Sequence, residues 1–112
     1  MKWREITEIE EWDEILEKST EKDQVILKHS HTCPVSFNAL EEYENYLSDQ
    51  PKKDTDYTLV TVRKSRPVSN KIEEDLDLKH ESPQIICIKN KKPYWSASHW
   101  SVTKAHMKAV LD

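Results

Sequence analysis

The sequence predicts an α/β fold, a four-stranded mixed sheet with helices on both faces. Three observations predict it. Segments with apolar residues at helical spacing alternate with short β-branched runs along the chain. The first two strand segments flank a helix, which is the order of a right-handed parallel crossover. The last two are separated only by the tight turn Asn90 to Lys92, which makes them a hairpin.

Residues 7–18 (TEIEEWDEILEK) open the chain as a helix. Ile9, Trp12, Ile15 and Leu16 recur at helical spacing, and Thr7 with Glu10 matches a capping box. Residues 24–29 (QVILKH) read as a buried strand. Cys33-Pro34 begins a second helix, with Pro34 at the first position, where its missing N–H costs nothing. Phe37, Leu40, Tyr43 and Leu47 are expected on its inner face. Residues 48–56 (SDQPKKDTD) are a polar loop, and 57–63 (YTLVTVR) a second strand rich in β-branched and aromatic residues. A third helix starts at Pro67 and runs to about Leu78, with Val68, Ile72 and Leu76 inward. Residues 84–88 (QIICI) and Pro93 to Ala97 form the hairpin, and 101–111 the closing helix, with Ser101 as its N-cap. Trp95 and Trp100 read as packing residues. The chain has no glycine, so turns that need positive φ must use Asn or Asp; Asn90 and Asp49 are the expected positions.

A length of 112 residues fits a single domain over 1–112. With 36% hydrophobic and 34% charged residues and four Trp, the composition is that of a soluble, ordered chain. The net charge of −4, with acid and base interleaved, lacks the basic footprint of a nucleic-acid binder. No apolar run approaches the ~20 residues needed to cross a bilayer. The N-terminus, MKWREITEIEEW, carries charges where a signal peptide needs its apolar stretch. The expectation is a cytoplasmic protein with no membrane or nucleic-acid partner. In that reducing compartment Cys33 and Cys87 are not expected to pair, so each needs its own explanation.

Cys33 lies in Ser30-His31-Thr32-Cys33-Pro34-Val35-Ser36. It follows the first strand, at the carboxyl edge where open α/β sheets carry their sites. A Cys at a helix start faces unpaired N–H groups and the positive end of the helix dipole. Both favour thiolate over thiol and make the sulfur nucleophilic. Ser36, one turn further on, can donate to the thiolate, and His31 adds positive charge when protonated. The plainer reading makes Cys33 only a cap, a task for which Ser, Thr, Asn and Asp are better. His29, His31 and Cys33 alternate along the chain and would share one strand face, but three ligands without a fourth make no closed metal site; no metal is expected. Cys87, inside Ile85-Ile86-Cys87-Ile88, reads as an inert apolar filler. Arg63, Lys64 and Arg66 follow the second strand at the same edge, either as a solvated basic loop or as a grip for carboxylates. His99 and His106 have no evident partner.

Strand, then Thr32-Cys33-Pro34-Val35-Ser36, then helix resembles the active sites of glutaredoxins and thioredoxins, here in a monothiol Cys-x-x-Ser form. Together with Arg66-Pro67-Val68-Ser69-Asn70 and His80-Glu81-Ser82-Pro83-Gln84, it makes almost the whole chain resemble the YtxJ-type bacillithiol-system proteins, the monothiol bacilliredoxins. The resemblance implies a thioredoxin-like fold and a thiol–disulfide oxidoreductase. Its substrates would be bacillithiolated proteins, from which it removes bacillithiol through Cys33, supported by Pro34, Ser36, Thr32 and His31. It further implies that Pro83 is cis and that the backbone of Ser82 pairs with the bound disulfide. Arg63, Lys64 and Arg66 would face the carboxylates of bacillithiol, a thiol co-substrate; no tightly bound cofactor is implied. Two other readings stand beside it. One is a monothiol glutaredoxin-like iron–sulfur carrier, although those proteins typically carry Cys-Gly-Phe-Ser. The other is a thioredoxin-fold adaptor that binds a partner without turnover.

Overall fold

Val25, Ile26 and Leu27, like Ile85 through Ile88, leave no polar face to a strand, so both faces of the sheet they build must be covered. The computed structural model describes residues 2–112 and places these segments at the centre of a five-stranded sheet. In chain order the strands are β1 (Arg4–Glu5), β2 (Asp23–His29), β3 (Thr55–Thr61), β4 (Gln84–Lys89) and β5 (Lys92–Ser98). Their order across the sheet is β1-β3-β2-β4-β5. β3 runs parallel to both β1 and β2, whereas β4 is antiparallel to β2 and to β5. The helices are α1 (Ile9–Lys18), α2 (Pro34–Leu47), α3 (Arg66–Leu76) and α4 (Lys104–Leu111).

Strand parity divides the core. Val25, Leu27, Ile85 and Cys87 pack with Tyr43, Leu47, Met107 and Leu111 of α2 and α4. Ile26, Ile86 and Ile88 pack on the other face with Trp12, Ile15, Val68 and Ile72 of α1 and α3. The mixed sheet with helices on both faces is therefore as the sequence predicts. The additional strand, β1, pairs only Arg4 with Thr58 and Glu5 with Leu59, and two residues carry no periodicity to read.

Several local assignments shift. The carboxylate that closes the start of α1 is Glu11, which accepts from the Thr7 and Glu8 amides at 3.0 Å each, in place of the Thr7–Glu10 pair. Phe37 is 54% exposed and not inward, because Ser36 takes the inner position in the first turn of α2, ahead of Ala39, Tyr43 and Leu47. α3 begins at Arg66 and ends at Leu76, before Asp77 in the left-handed region. The cap of α4 is Thr103, whose Oγ1 accepts from the His106 amide at 3.1 Å. Ser101 belongs to the preceding 3₁₀ turn, His99–Ser101. Trp95 packs against the core, whereas Trp100 is 67% exposed on that turn. Positive φ falls at Gln50, Asp54, Asp77, Asn90, Lys91 and His99. Asn90 was an expected position; Asp49 is not among them, and its neighbour Gln50 carries the turn instead.

Tyr43 is fully buried, and its Oη donates to the Thr58 carbonyl at 3.1 Å, so it fastens α2 to the middle of β3. Burial and the neighbouring Tyr57 push its phenol well above the ordinary tyrosine value, which keeps it a donor. Tyr43→Phe should lower stability by about 1 kcal/mol, and Tyr43→Ala by about 3–5 kcal/mol, read as shifts of the urea midpoint. Equal stability of Tyr43→Phe and the natural chain would show that this bond adds nothing.

Candidate functional site

The register of the central strands decides what meets at the site. His29 pairs with Thr61 at the carboxyl ends of β2 and β3, and Lys28 faces Gln84 at the start of antiparallel β4. Three connections therefore leave the sheet at one edge: residues 30–33 before α2, residues 62–65 before α3, and Ser82-Pro83 before β4. They carry, in turn, Cys33, the basic residues, and the proline.

Cys33 is the N-cap of α2, in extended backbone at φ −113° and ψ 122°, and is partly exposed. Its carbonyl accepts from Ser36 N at 3.0 Å and Phe37 N at 3.3 Å, which starts the helix, and Pro34 at the first position leaves no N–H to satisfy. Ser36 is buried, and its Oγ accepts from the Ser30 amide at 3.2 Å, so it closes the loop that bears Cys33. The hydroxyl hydrogen of Ser36 is not used in that bond. Thr32 is exposed, with Oγ1 3.2 Å from Ser30 Oγ.

His31 is also exposed, and its ring meets that of buried His29 edge-on at 4.9 Å between centroids. His29 Nε2 lies 3.3 Å from Thr61 Oγ1, which donates to Glu5 Oε2 at 3.0 Å. Burial lowers the pKa of His29 below the ordinary histidine value, and the charge of His31 adds to this while Glu5 opposes it. His29 thus belongs to the buried support of the loop. Among the described residues, no three His, Cys, Asp or Glu side chains converge to hold a metal ion.

The Ser82–Pro83 peptide bond is cis, as the resemblance implies. Pro83 is buried, and its carbonyl accepts from His99 N at 2.9 Å, which ties it to the end of β5. Gln84 holds the approach to it, accepting from Glu81 N at 3.4 Å and donating to the Lys79 carbonyl at 3.1 Å. His99 Nε2 sits 3.0 Å from Glu81 Oε2, a partner that the sequence does not reveal because the pair is 18 residues apart. His106 Nδ1 lies 2.7 Å from the Ser101 carbonyl.

Arg63, Lys64 and Arg66 are all exposed at the same edge. Lys64 lies 3.9 Å from Glu5, and among the described residues Arg63 and Arg66 make no ion pair. Cys87 is placed differently. It pairs with Val25 and Trp95 in the middle of the sheet, is fully buried, and burial pushes its thiol up to about 12.

The chain matches the family model of the monothiol bacilliredoxin BrxC over residues 4–107. Among solved structures it is similar to a provisionally assigned oxidoreductase with a thioredoxin fold, at 27% identity and a TM-score of 0.82, over 95% of this chain and 90% of that one. It shares the fold of the thioredoxin pre-protein of Schistosoma mansoni, at 18% identity and a TM-score of 0.74, over 99% and 100% of the two chains. Thioredoxin of Fasciola hepatica matches at 13% identity and 0.73, over 95% and 93%.

The two thiols should react very differently. In native protein at neutral pH, iodoacetamide should label Cys33 at least about a hundredfold faster than Cys87, whose reaction requires opening of the sheet. Peptide mapping after timed quenching reads the ratio. Comparable labelling of both would remove Cys33 as the distinct reactive position.

Proposed function

This chain belongs to the monothiol bacilliredoxin family, and from that premise we propose that it removes bacillithiol from protein mixed disulfides by accepting it on Cys33. Its family and its fold make it a thiol oxidoreductase. The observation that carries the finer reading is the pairing of one partly exposed thiol at a helix start with a serine one turn on, while the second cysteine is sealed in the sheet.

In the proposed reaction the Cys33 thiolate attacks the bacillithiol sulfur of the mixed disulfide. One S–S bond forms between Cys33 and bacillithiol as the substrate S–S bond breaks. The substrate thiolate leaves and takes a proton from solvent. One disulfide is exchanged for another, and the two electrons that reduce the substrate are those of Cys33. The start of α2 favours negative charge at the attacking sulfur, with His31 adding to it when protonated. Thr32 and Pro34 shape the turn, and Ser36 holds the loop while offering its free O–H toward Cys33. The backbone of Ser82, set by cis Pro83, pairs with the backbone of the bound substrate. Arg63 and Arg66, which make no ion pair among the described residues, and Lys64 hold the carboxylates of bacillithiol. Ser36 cannot displace the adduct, so a second thiol, from bacillithiol or another redoxin, must restore Cys33.

Intact-mass analysis of a single turnover tests this. A bacillithiolated protein should become reduced as Cys33 gains one bacillithiol; Cys33→Ser should do nothing, and Cys87→Ser should remain active. A folded protein that takes no adduct would leave the adaptor reading in place. Ser36→Cys should release bacillithiol without any second thiol, through an internal disulfide; an adduct that persists unchanged in that variant would refute the proposed place of residue 36.

A further inference from the structure

Lys28 occupies a position no lysine should occupy. It lies within β2 on the face covered by α1 and α3, and its side chain is 0% exposed. A buried ammonium must find acceptors or be lost at large cost. Its Nζ is 3.2 Å from the Ser69 carbonyl of α3 and 3.2 Å from Nδ1 of His80. His80 is only partly buried and stands three residues before cis Pro83. Its Nδ1 also lies 3.3 Å from Ser69 Oγ, and its amide donates to Glu73 Oε2 at 2.6 Å. The segment that carries Ser82 is thus attached from below to β2 through Lys28 and to α3 through Ser69 and Glu73.

The chemistry of the contact fixes its protonation. An ammonium has donors and no acceptor, so Nζ can bond Nδ1 only where Nδ1 is unprotonated. A proton on Nδ1 places two donors and two positive charges face to face. Lys28 is fully buried whereas His80 is only partly so, which makes the His80 ring the partner that can withdraw toward solvent.

We propose that Lys28 and His80 are a pH-responsive positioning pair: neutral His80, held by Lys28, fixes the Ser82–Pro83 backbone at the sheet edge that carries Cys33, and protonation of His80 releases it. The effect on catalysis rests on the functional reading above, in which the Ser82 backbone receives the substrate; the latch itself does not.

The groups around the pair agree with this direction. Facing His80 are Lys28 from β2, Ser69, Glu73 and Arg66 from α3, and Glu81 from its own segment. Burial lowers the pKa of His80 below the ordinary value, and the charges of Lys28 and Arg66 add to this against Glu73 and Glu81. Burial likewise brings Lys28 down to about 8, with Glu73 opposing, so it remains charged at neutral pH. An unfolded histidine gains its proton near pH ~6.5, before the native one does. The stability given by neutral His80 is therefore complete above that pH and is lost as the pH falls through the lowered native value.

The test uses His80→Asn, whose amide oxygen can take the place of Nδ1 without titrating, and Lys28→Met, which removes the charge that protonated His80 meets. Two readouts are followed between about pH 7.5 and about pH 5.5. The first is amide hydrogen exchange of residues 79–84, corrected for intrinsic rates. The second is the rate of adduct formation with a bacillithiolated peptide divided by the iodoacetamide rate of Cys33, a ratio that cancels changes in thiolate fraction. In the natural protein, acidification should cost about tenfold in each. His80→Asn should show a flat profile at the natural neutral-pH value, and Lys28→Met a shallower response than the natural protein, since burial still opposes the His80 proton. Protection that stays constant in the natural protein, or falls equally in both variants, overturns the latch. Absence of exchange with any bacillithiolated peptide would sink the functional reading alone, since hydrogen exchange still decides whether the pair holds the segment.

Discussion

Everything at the site depends on how β2 is held. It is the middle strand of the five, with β3 on one side, β4 on the other and helices on both faces, and its register is locked from Asp23 to His29 against β3 and from Gln24 to Lys28 against β4. A slip of one residue would exchange the Val25 and Leu27 face for the Ile26 and Lys28 face. It would also pull the loop carrying Cys33 away from the proline before β4. The opposite directions of β3 and β4 beside β2 are what bring one strand's end and another's beginning to a single edge. The local cap at Cys33 only finishes an arrangement that the sheet has already made.

That arrangement separates two thiols that are chemically alike in the unfolded chain. Cys33 sits where the sheet ends and a helix begins, partly exposed to solvent. Cys87 sits fully buried on β4, with Val25 on one side and Trp95 on the other, and burial opposes its deprotonation. Fold position alone thus makes one thiol available and the other a packing group. Ser36 contributes to the same separation: by spending its oxygen on the Ser30 amide it stabilises the loop, a task a cysteine sulfur would perform poorly.

How much of this was legible follows from the range over which each signal acts. The α2 start was plain because Cys33-Pro34 is a local signal, and the inner face of α3 was plain because Val68, Ile72 and Leu76 obey a helical period. The cis bond at Pro83 came from resemblance alone, since nothing in Ser-Pro distinguishes it. Phe37 misled because periodicity gives a helix a face without fixing its phase, and the phase was set by Ser36 bonding to Ser30. β1 was hidden by its length. The contacts Glu81–His99 and Lys28–His80 span 18 and 52 residues, beyond any pattern a single chain displays. One trace did exist: Lys28 directly follows the apolar run Val25-Ile26-Leu27 in a segment that reads as a buried strand.

Unpartnered buried polar groups gather at one end of the sheet. Among the described residues, the buried side-chain atoms without a partner are His29 Nδ1, Ser65 Oγ and Ser82 Oγ, along with Gln24 Oε1. Gln24 lies at the far end of β2, but the other three belong to the three connections that meet at the Cys33 edge: the end of β2, the cap of α3, and the residue before cis Pro83. Lys28, the buried charge, points to the same edge from beneath. Each such group costs the fold on the order of 1–3 kcal/mol. A core selected only for stability would replace them with apolar side chains of similar size. Their convergence on the end of the sheet that presents the thiol is what is expected where polar groups are kept for chemistry and not for packing. The hydrophobic faces above and below β2 supply the stability that lets this edge remain polar, so the apolar core and the polar site are two consequences of one strand's position.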